Sequence, residues 1–315
     1  MRGAAAVSMG SGEKPRVSVD LAAPRLAVPD FEWAASVGRR GGALSGRWVD
    51  SEFPTAWLRR ADADGDLRVE RLEGLAAGPA ELRLRFELED GRLRLRPFRI
   101  AVAQGAAEGS ATVDAGDGAA PELALLADAG GIRLGPLLGA FGVGQVAGTL
   151  ETASVDLRGR GGTPREVAAA LDGSARFRVV DGSLDIPGLS NLSMSLSETF
   201  GYVLGGGRGG GGEPTPVACA VGDLPVRRGV VRAERLVVVT PQVEIVAEGT
   251  IRLGDATADL TLVPRPLDGA LLRVVVPVAI EGDLASPRVE TRPEFRAGLR
   301  AEPADGICRK EFGGR

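Results

Sequence analysis

The sequence predicts a mainly β protein: an extended, curved, mostly antiparallel sheet carrying two or three short helices. Three observations lead there. Strict two-residue alternation of apolar and charged side chains recurs along the chain, as in strands with one buried face. Asp-Gly and Gly-Asp pairs sit between such runs, where two-residue hairpin turns need positive φ. Stretches with helical periodicity are few and short.

Residues 1–50 are weakly patterned, with short strands expected at Val17–Leu21 and around Arg25–Val28 and a glycine-rich loop over Gly38–Gly46. A short amphipathic helix is expected at Pro54–Arg60. Glu81–Glu89 then reads E-L-R-L-R-F-E-L-E, which puts Leu82, Leu84, Phe86 and Leu88 on one face. Asp90-Gly91 turns the chain, and Arg92–Val102 returns. Counting outward from the turn sets Leu88 opposite Leu93 and Phe86 opposite Leu95. On the other face Glu87 meets Arg94 and Glu89 meets Arg92, so the register is specified twice. The phase slips at Arg96-Pro97. A bulge there realigns Leu84 with Phe98 and Leu82 with Ile100, and Val102 continues the apolar face.

The same reasoning predicts a hairpin at Asp181-Gly182, with Val179 facing Leu184, Phe177 facing Ile186 and Arg178 facing Asp185. It predicts another at Gly254-Asp255, of type II′ because glycine leads. Further strands are expected at Ala111–Asp114, Glu122–Ala127, Gly148–Arg158, Val230–Thr240, Val243–Ile251 and Leu271–Glu281. Thr163-Pro164-Arg165-Glu166 is a capping box with proline at the first helical position, opening a helix to about Leu171. A helix over Leu189–Leu204 carries Leu189, Leu192, Leu196, Phe200 and Val203 on one stripe, and a helical turn is expected at Leu134–Phe141. Glycines 205–212, interrupted by Arg208, read as a flexible linker. The domain organisation is thus a weakly ordered segment 1–50, a β domain over 51–292 and a loose, charged tail at 293–315.

Composition narrows the chemistry. The 315 residues carry a net charge of −4, and all but two of the 38 cationic residues are arginine, interspersed with acids, so no nucleic-acid footprint is present. There is no histidine, which removes any Ser-His-Asp or Cys-His site built within this chain and disfavours a hydrolase. No catalytic residue, metal ligand or cofactor is assigned. Asp62, Asp64 and Asp66 suggest a calcium loop, but Gly65 falls at the fourth place where the sixth is required, and a solvated turn is the better reading. Gly205–Gly212 lacks the Lys-Ser/Thr of a phosphate loop. Ser190, Ser193, Ser195 and Ser197 have no base beside them. Cys219 reads as a small buried residue; spacing alone leaves a disulfide with Cys308 open. The longest uncharged stretch, Leu134–Leu150, is broken by Pro136 and several glycines, and Met1–Gly12 lacks the apolar run of a signal peptide. The chain as given is expected to be soluble, or a fragment whose targeting segment is missing.

A one-sided apolar sheet must bury that side, and the helices are too few to cover it. Either the sheet curls into an internal core or part of the face serves a ligand; the periodicity leaves both open.

A series of motifs over residues 53–292 resembles the C-terminal region of the AsmA family. They are F-P-T-A-W-L-R-R-A-D-A-D-G-D-L-R-V at Phe53–Val69 and D-G-R-L-R-L-R-P-F at Asp90–Phe98. The long stretch Gly148–Leu184 follows, with its strand, glycine-rich break, short helix, Leu-Asp-Gly and Asp-Gly. Then come G-T-I-R-L-G-D-A-T-A-D-L-T-L at Gly249–Leu262 and V-P-V-A-I-E-G-D-L-A-S-P at Val276–Pro287. The resemblance implies a short helix before a polar strand at Phe53–Val69. It also implies a β-groove of the bridge-like lipid-transfer type, no catalytic residues, and a place on the periplasmic side of the inner membrane of Gram-negative cells. Phospholipid or another acyl lipid, and envelope proteins, are the implied partners. No anchor is read in this chain, and it is short for the family, which sets it apart from members that bridge the envelope alone. Lipid-groove candidates are Leu82, Leu84, Phe86, Leu88, Leu93, Leu95, Phe98, Ile100, Val102, Phe177, Val179, Leu184 and Ile186. The alternative is a scaffold or assembly module for outer-membrane proteins with a closed apolar core.

Overall fold

A computed structural model describes residues 2–8, 14–27, 50–73, 78–116, 120–139, 146–184, 214–241, 243–267, 277–284 and 287–291. Eighteen strands among them join in one sheet. The first three are β1 (Arg2–Ser8), β2 (Arg16–Ala23) and β3 (Leu26–Ala27), followed by β4 (Asp62–Glu73), β5 (Ala80–Glu89), β6 (Arg92–Val102), β7 (Gly105–Asp114), β8 (Glu122–Gly130) and β9 (Ile132–Arg133). Then come β10 (Val146–Arg160), β11 (Asp172–Leu184), β12 (Thr215–Arg227), β13 (Val230–Arg232), β14 (Arg235–Val239), β15 (Val243–Arg252), β16 (Thr257–Pro266), β17 (Val278–Asp283) and β18 (Arg288–Thr291). Helix is confined to a 3₁₀ turn at Thr55–Arg59, α1 (Leu134–Gly139) and α2 (Pro164–Ala169) among the described residues.

Three pairs of strands, β2/β3, β8/β9 and β13/β14, lie end to end against common neighbours, so the eighteen strands occupy fifteen ranks. At ~4.8 Å per rank the sheet is about 70 Å long. Each rank pairs antiparallel with the next along the chain, except that β2 and β3 run parallel to β4. Five register shifts, at Val69/Leu72, Leu84/Phe86, Leu95/Phe98, Ala147/Thr149 and Leu150/Thr152, bend the strands and curve the sheet.

The β5–β6 hairpin forms as expected. Asp90 and Gly91 have φ of 49° and 81°, Leu88 pairs with Leu93 and Phe86 with Leu95, and the slip before Phe98 restores Leu84–Phe98 and Leu82–Ile100. The Gly254-Asp255 turn also stands in register, with Ile251 opposite Ala258. It is not type II′, because the positive φ belongs to Ala256 (50°).

Two readings are corrected. Asp181-Gly182 is not a hairpin: β11 runs through it, and Asp181 (φ 50°) with Gly182 bulges opposite Gly148. Leu184 consequently pairs with Val146 and Thr215 rather than with Val179. Asp62, Asp64 and Asp66 form no turn; they begin β4, the polar strand that the family resemblance implied. The helix expected at Leu189–Leu204, the glycine run 205–212, the four serines from Ser190 to Ser197, Ile186 and Cys308 lie outside the described residues.

Burial divides the sheet in two. Around β4–β8 the cluster of buried residues is small: Leu58, Leu88 and Ala115, with Ala63, Leu93 and Val113 against them. From β12 onward buried aliphatic residues dominate, including Val221, Val239, Ile245 and Val263. Cys219 is 1% exposed, the small buried residue that the sequence suggested.

Candidate functional site

Residues directly paired across an antiparallel ladder point to the same side of a sheet. Following the pairs therefore traces lanes along each face. One lane runs Val69–Leu82–Ile100–Ala107–Ala129–Ala153–Phe177–Gly222–Leu236–Ala247–Leu262–Val278, from β4 to β17, without a polar side chain. Beside it lie Leu67–Leu84–Phe98–Gly109–Ala127–Val155–Ala175 and Gly65–Phe86–Leu95–Ala111–Leu125–Leu157. Together they form a broad apolar face.

The register brings together Leu82, Leu84, Phe86, Leu93, Leu95, Phe98 and Ile100 on that face, all half-buried. Val102 closes β6 opposite Gly105, and Phe177 and Val179 stand further along on β11. Leu88 belongs to the same face but is 5% exposed, because Leu58 of the 3₁₀ turn sits on it. Sequence reasoning missed Leu123, Leu125, Val155 and Leu157, which extend the face across β8 and β10. In β8 the run Leu123-Ala124-Leu125-Leu126 hides the phase: Leu125 points to the apolar side and Leu126 to the polar side, 37% and 52% exposed.

Glycines shape the floor. The Phe86 ring lies against Gly65, where a Cβ would come 3.2 Å from Cε1, and the Phe177 ring covers Gly222 more tightly. Both rings lie over the bare backbone of the neighbouring strand, an arrangement that compensates for the missing side chain.

One long rim is closed. The 3₁₀ turn lays Leu58 over Leu88, and α2 lays Val167 over Gly159, whose own Cβ would stand 2.9 Å from Val167 Cγ1. Thr163 caps α2 by accepting from Glu166 N–H (3.2 Å), while the Glu166 carboxylate accepts from Gly162 N–H (2.7 Å), one residue before the cap. Phe53 N–H donates to the Gly162 carbonyl (2.8 Å), and Arg165 ties Asp50 (2.5 Å) to the Gly254 carbonyl (3.0 Å). The 3₁₀ segment, α2 and the β15–β16 turn thus form one hydrogen-bonded border.

The opposite face of β4–β11 is ionic. Arg99–Glu108 (2.7 Å), Arg94–Glu87 (3.3 Å), Arg85–Asp66 (3.3 Å), Arg160–Glu122 (3.4 Å) and Arg92–Asp114 bridge neighbouring strands. The Arg92 guanidinium, by hydrogen bonding, and the Gly116 N–H hold the Asp114 carboxyl below the usual carboxylate range; Lys14 does the same for Asp90. Exposed pairs of this kind add little stability each, but they fix register and keep this face in water. Shallow hollows of about 430 and 400 Å³ lie here, walled by these charges. Among the described residues no group of three or more His, Cys, Asp or Glu is placed to hold a metal ion, and no helix is long and apolar enough to cross a membrane.

The apolar face thus offers dispersion and solvent exclusion without an acid, base or nucleophile along its lanes. In comparisons with known proteins, the model of the AsmA family matches residues 29–236. No curated protein and no solved structure matches the chain.

Proposed function

The chain belongs to the AsmA family, and from that premise we propose that it is a non-enzymatic envelope-biogenesis protein whose apolar face holds phospholipid or another acyl lipid. Family membership points to an envelope-related, lipid-transport-type role. The finer reading is a groove segment that supports phospholipid movement between inner and outer membrane from the periplasmic side of the inner membrane. The single observation that carries it is the lane from Val69 to Val278, apolar throughout and half-exposed over β5 and β6. Folded proteins seldom leave so long an apolar strip partly open without using it. Each acyl methylene buried on such a strip contributes ~0.8 kcal/mol, so about ten would supply ~8 kcal/mol before ordering costs.

A second reading, a scaffold or assembly module for outer-membrane proteins with a closed apolar core, is favoured by the burial of Val221, Val239 and Val263 in the C-terminal strands. Native mass spectrometry of the purified full chain separates the two. Under the lipid reading wild type carries phospholipid, Phe86→Asp loses it, and Arg85→Asp, on the ionic face beside Asp66, keeps it. A folded Phe86→Asp variant with its full lipid load would rule this face out. A wild type free of lipid supports the scaffold.

A further inference from the structure

We infer that the outward side of the 3₁₀ turn Thr55–Arg59 is a docking point for the surface of an anionic bilayer. The inference stands on this turn and does not require lipid on the apolar face. A 3₁₀ helix has three residues per turn, so side chains at i and i+3 eclipse one another. Thr55 and Leu58 form the inward pair, with Leu58 seated on Leu88. The other two pairs, Ala56 with Arg59 and Trp57 with Arg60, are exposed, as is Pro54 before them. Trp57, 51% exposed, is the one aromatic among the large exposed hydrophobic residues described. The turn carries no acid. A Cβ on Gly91 would stand 2.9 Å from Arg59 Cγ, so the Arg59 stem lies on the β5–β6 turn. The carboxylate of that turn, Asp90, is held by Lys14 (2.7 Å). Among the described residues, Arg59 and Arg60 are left without an ion pair.

The chemistry of this side fits headgroups. An indole has an apolar body and a polar edge and settles where hydrocarbon meets water. Guanidinium groups match phosphate oxygens in pairs, and basic residues are drawn to an anionic leaflet. A protein partner fits less well. A stable interface covers ~800 Å² on each side, around a core poor in charge. A tryptophan side chain offers only ~150–250 Å², and half of this one is already covered. Around it the rim is charged, with Lys14, Asp62 and Asp90 beside the turn. Because Leu58 rests on Leu88, the docking point adjoins the apolar face itself.

The test mixes the full chain with vesicles of phosphatidylcholine, alone or with phosphatidylglycerol, at low salt. Co-sedimentation reads binding, and lipids brominated on their acyl chains quench any tryptophan that enters the bilayer. Wild type is expected to sediment with the anionic vesicles only and to be quenched. Arg59→Gln and Arg60→Gln should each lower the partition about fivefold. Trp57→Ala should lower it on the order of tenfold, and Trp57→Phe should bind but lose most of the quench. Arg133→Gln, the same charge change at an exposed place on β9, should bind as wild type. Unchanged melting temperatures are expected throughout, since these side chains are exposed. Equal binding to both vesicle types, a Trp57→Ala variant that sediments like wild type, or an equal loss in Arg133→Gln would overturn the docking point. So would a Trp57-dependent dimer without vesicles, which would assign the turn to a second copy. Native mass spectrometry of the same wild-type preparation keeps the two readings apart. A lipid-free chain that docks removes the lipid-holding face alone, and a lipid-loaded chain that does not dock removes this inference alone.

Discussion

The Phe177 ring lies against Gly222 of the neighbouring strand, where a Cβ would come within 2.4 Å of Cε1 and 2.7 Å of Cζ. Gly222→Ala must therefore displace the ring, at a cost of ~1–3 kcal/mol for overpacking. Urea denaturation reads it directly. Combined with Phe177→Ala, the same substitution should cost much less than the two single effects added, since the clash is gone. Simple additivity would show that the ring does not rest on this glycine.

Leu58, 2% exposed on Leu88 and Ala115, is the pin that holds the 3₁₀ turn to the sheet. Leu58→Ala is expected to lower stability by ~2–5 kcal/mol, in the range of large-to-small core substitutions. An unchanged denaturation midpoint would mean that the turn contributes nothing to closing the rim.

Thr163 accepts the Glu166 N–H at the start of α2. Thr163→Ala should lose ~1 kcal/mol, and Thr163→Ser should retain most of it because the hydroxyl remains. Thermal melts of the three proteins check this; equal losses from both substitutions would point to the methyl group instead of the cap.

Acid should weaken the fold in a defined way. Asp114, Asp90 and Glu73 all have carboxyl pKa values lowered in the folded state, by hydrogen bonds from Arg92, Lys14 and Arg25 respectively. A lowered folded pKa gives stability that is fully present above the unfolded value of ~4 and is lost as pH falls through the folded value. Melting temperature should thus hold level down to about pH 5 and fall below it. Asp114→Asn should flatten part of that acid limb, and salt should shrink the difference because these pairs are exposed. A variant with an unaltered acid limb would remove Asp114 from the account.

How much was legible in the sequence depended on how many constraints met at one place. In β5–β6 the turn, the apolar pairs and the charge pairs all demanded the same register, and even the slip at Arg96-Pro97 followed from them. Asp181-Gly182 carried one constraint only. Asp-Gly encodes positive φ, and both a hairpin and a bulge satisfy it; the choice was made by Val217, which pairs with Gly182 across a stretch of more than thirty residues. Strand β12 was hidden by Pro216 and Pro225, residues that argue against a central strand. Its ladder to the next rank covers Cys219–Asp223 and Val226–Arg227, so both prolines fall where no partner on that side asks for an N–H. The parallel pairing of β2 with β4 joins segments separated by the Thr55–Arg59 turn and had no local signature. The apolar face was readable where alternation was strict and lost where Leu125 and Leu126 adjoin.

The order of the ranks has a consequence for how such a molecule can change its size. Among the described strands, each rank pairs only with the ranks before and after it in the chain, and ties between more distant elements gather at the border around α2. Stability is then close to a sum of nearest-neighbour terms, as in solenoids. A hairpin can be gained or lost as a module, lengthening or shortening the sheet by about 10 Å, two strand spacings, without disturbing register elsewhere. The strands from β16 to β18, at one end, are where such an edit would disturb least: removing them leaves β15 as a new edge and every earlier strand pairing untouched, at the cost of the Arg165 contact to the β15–β16 turn.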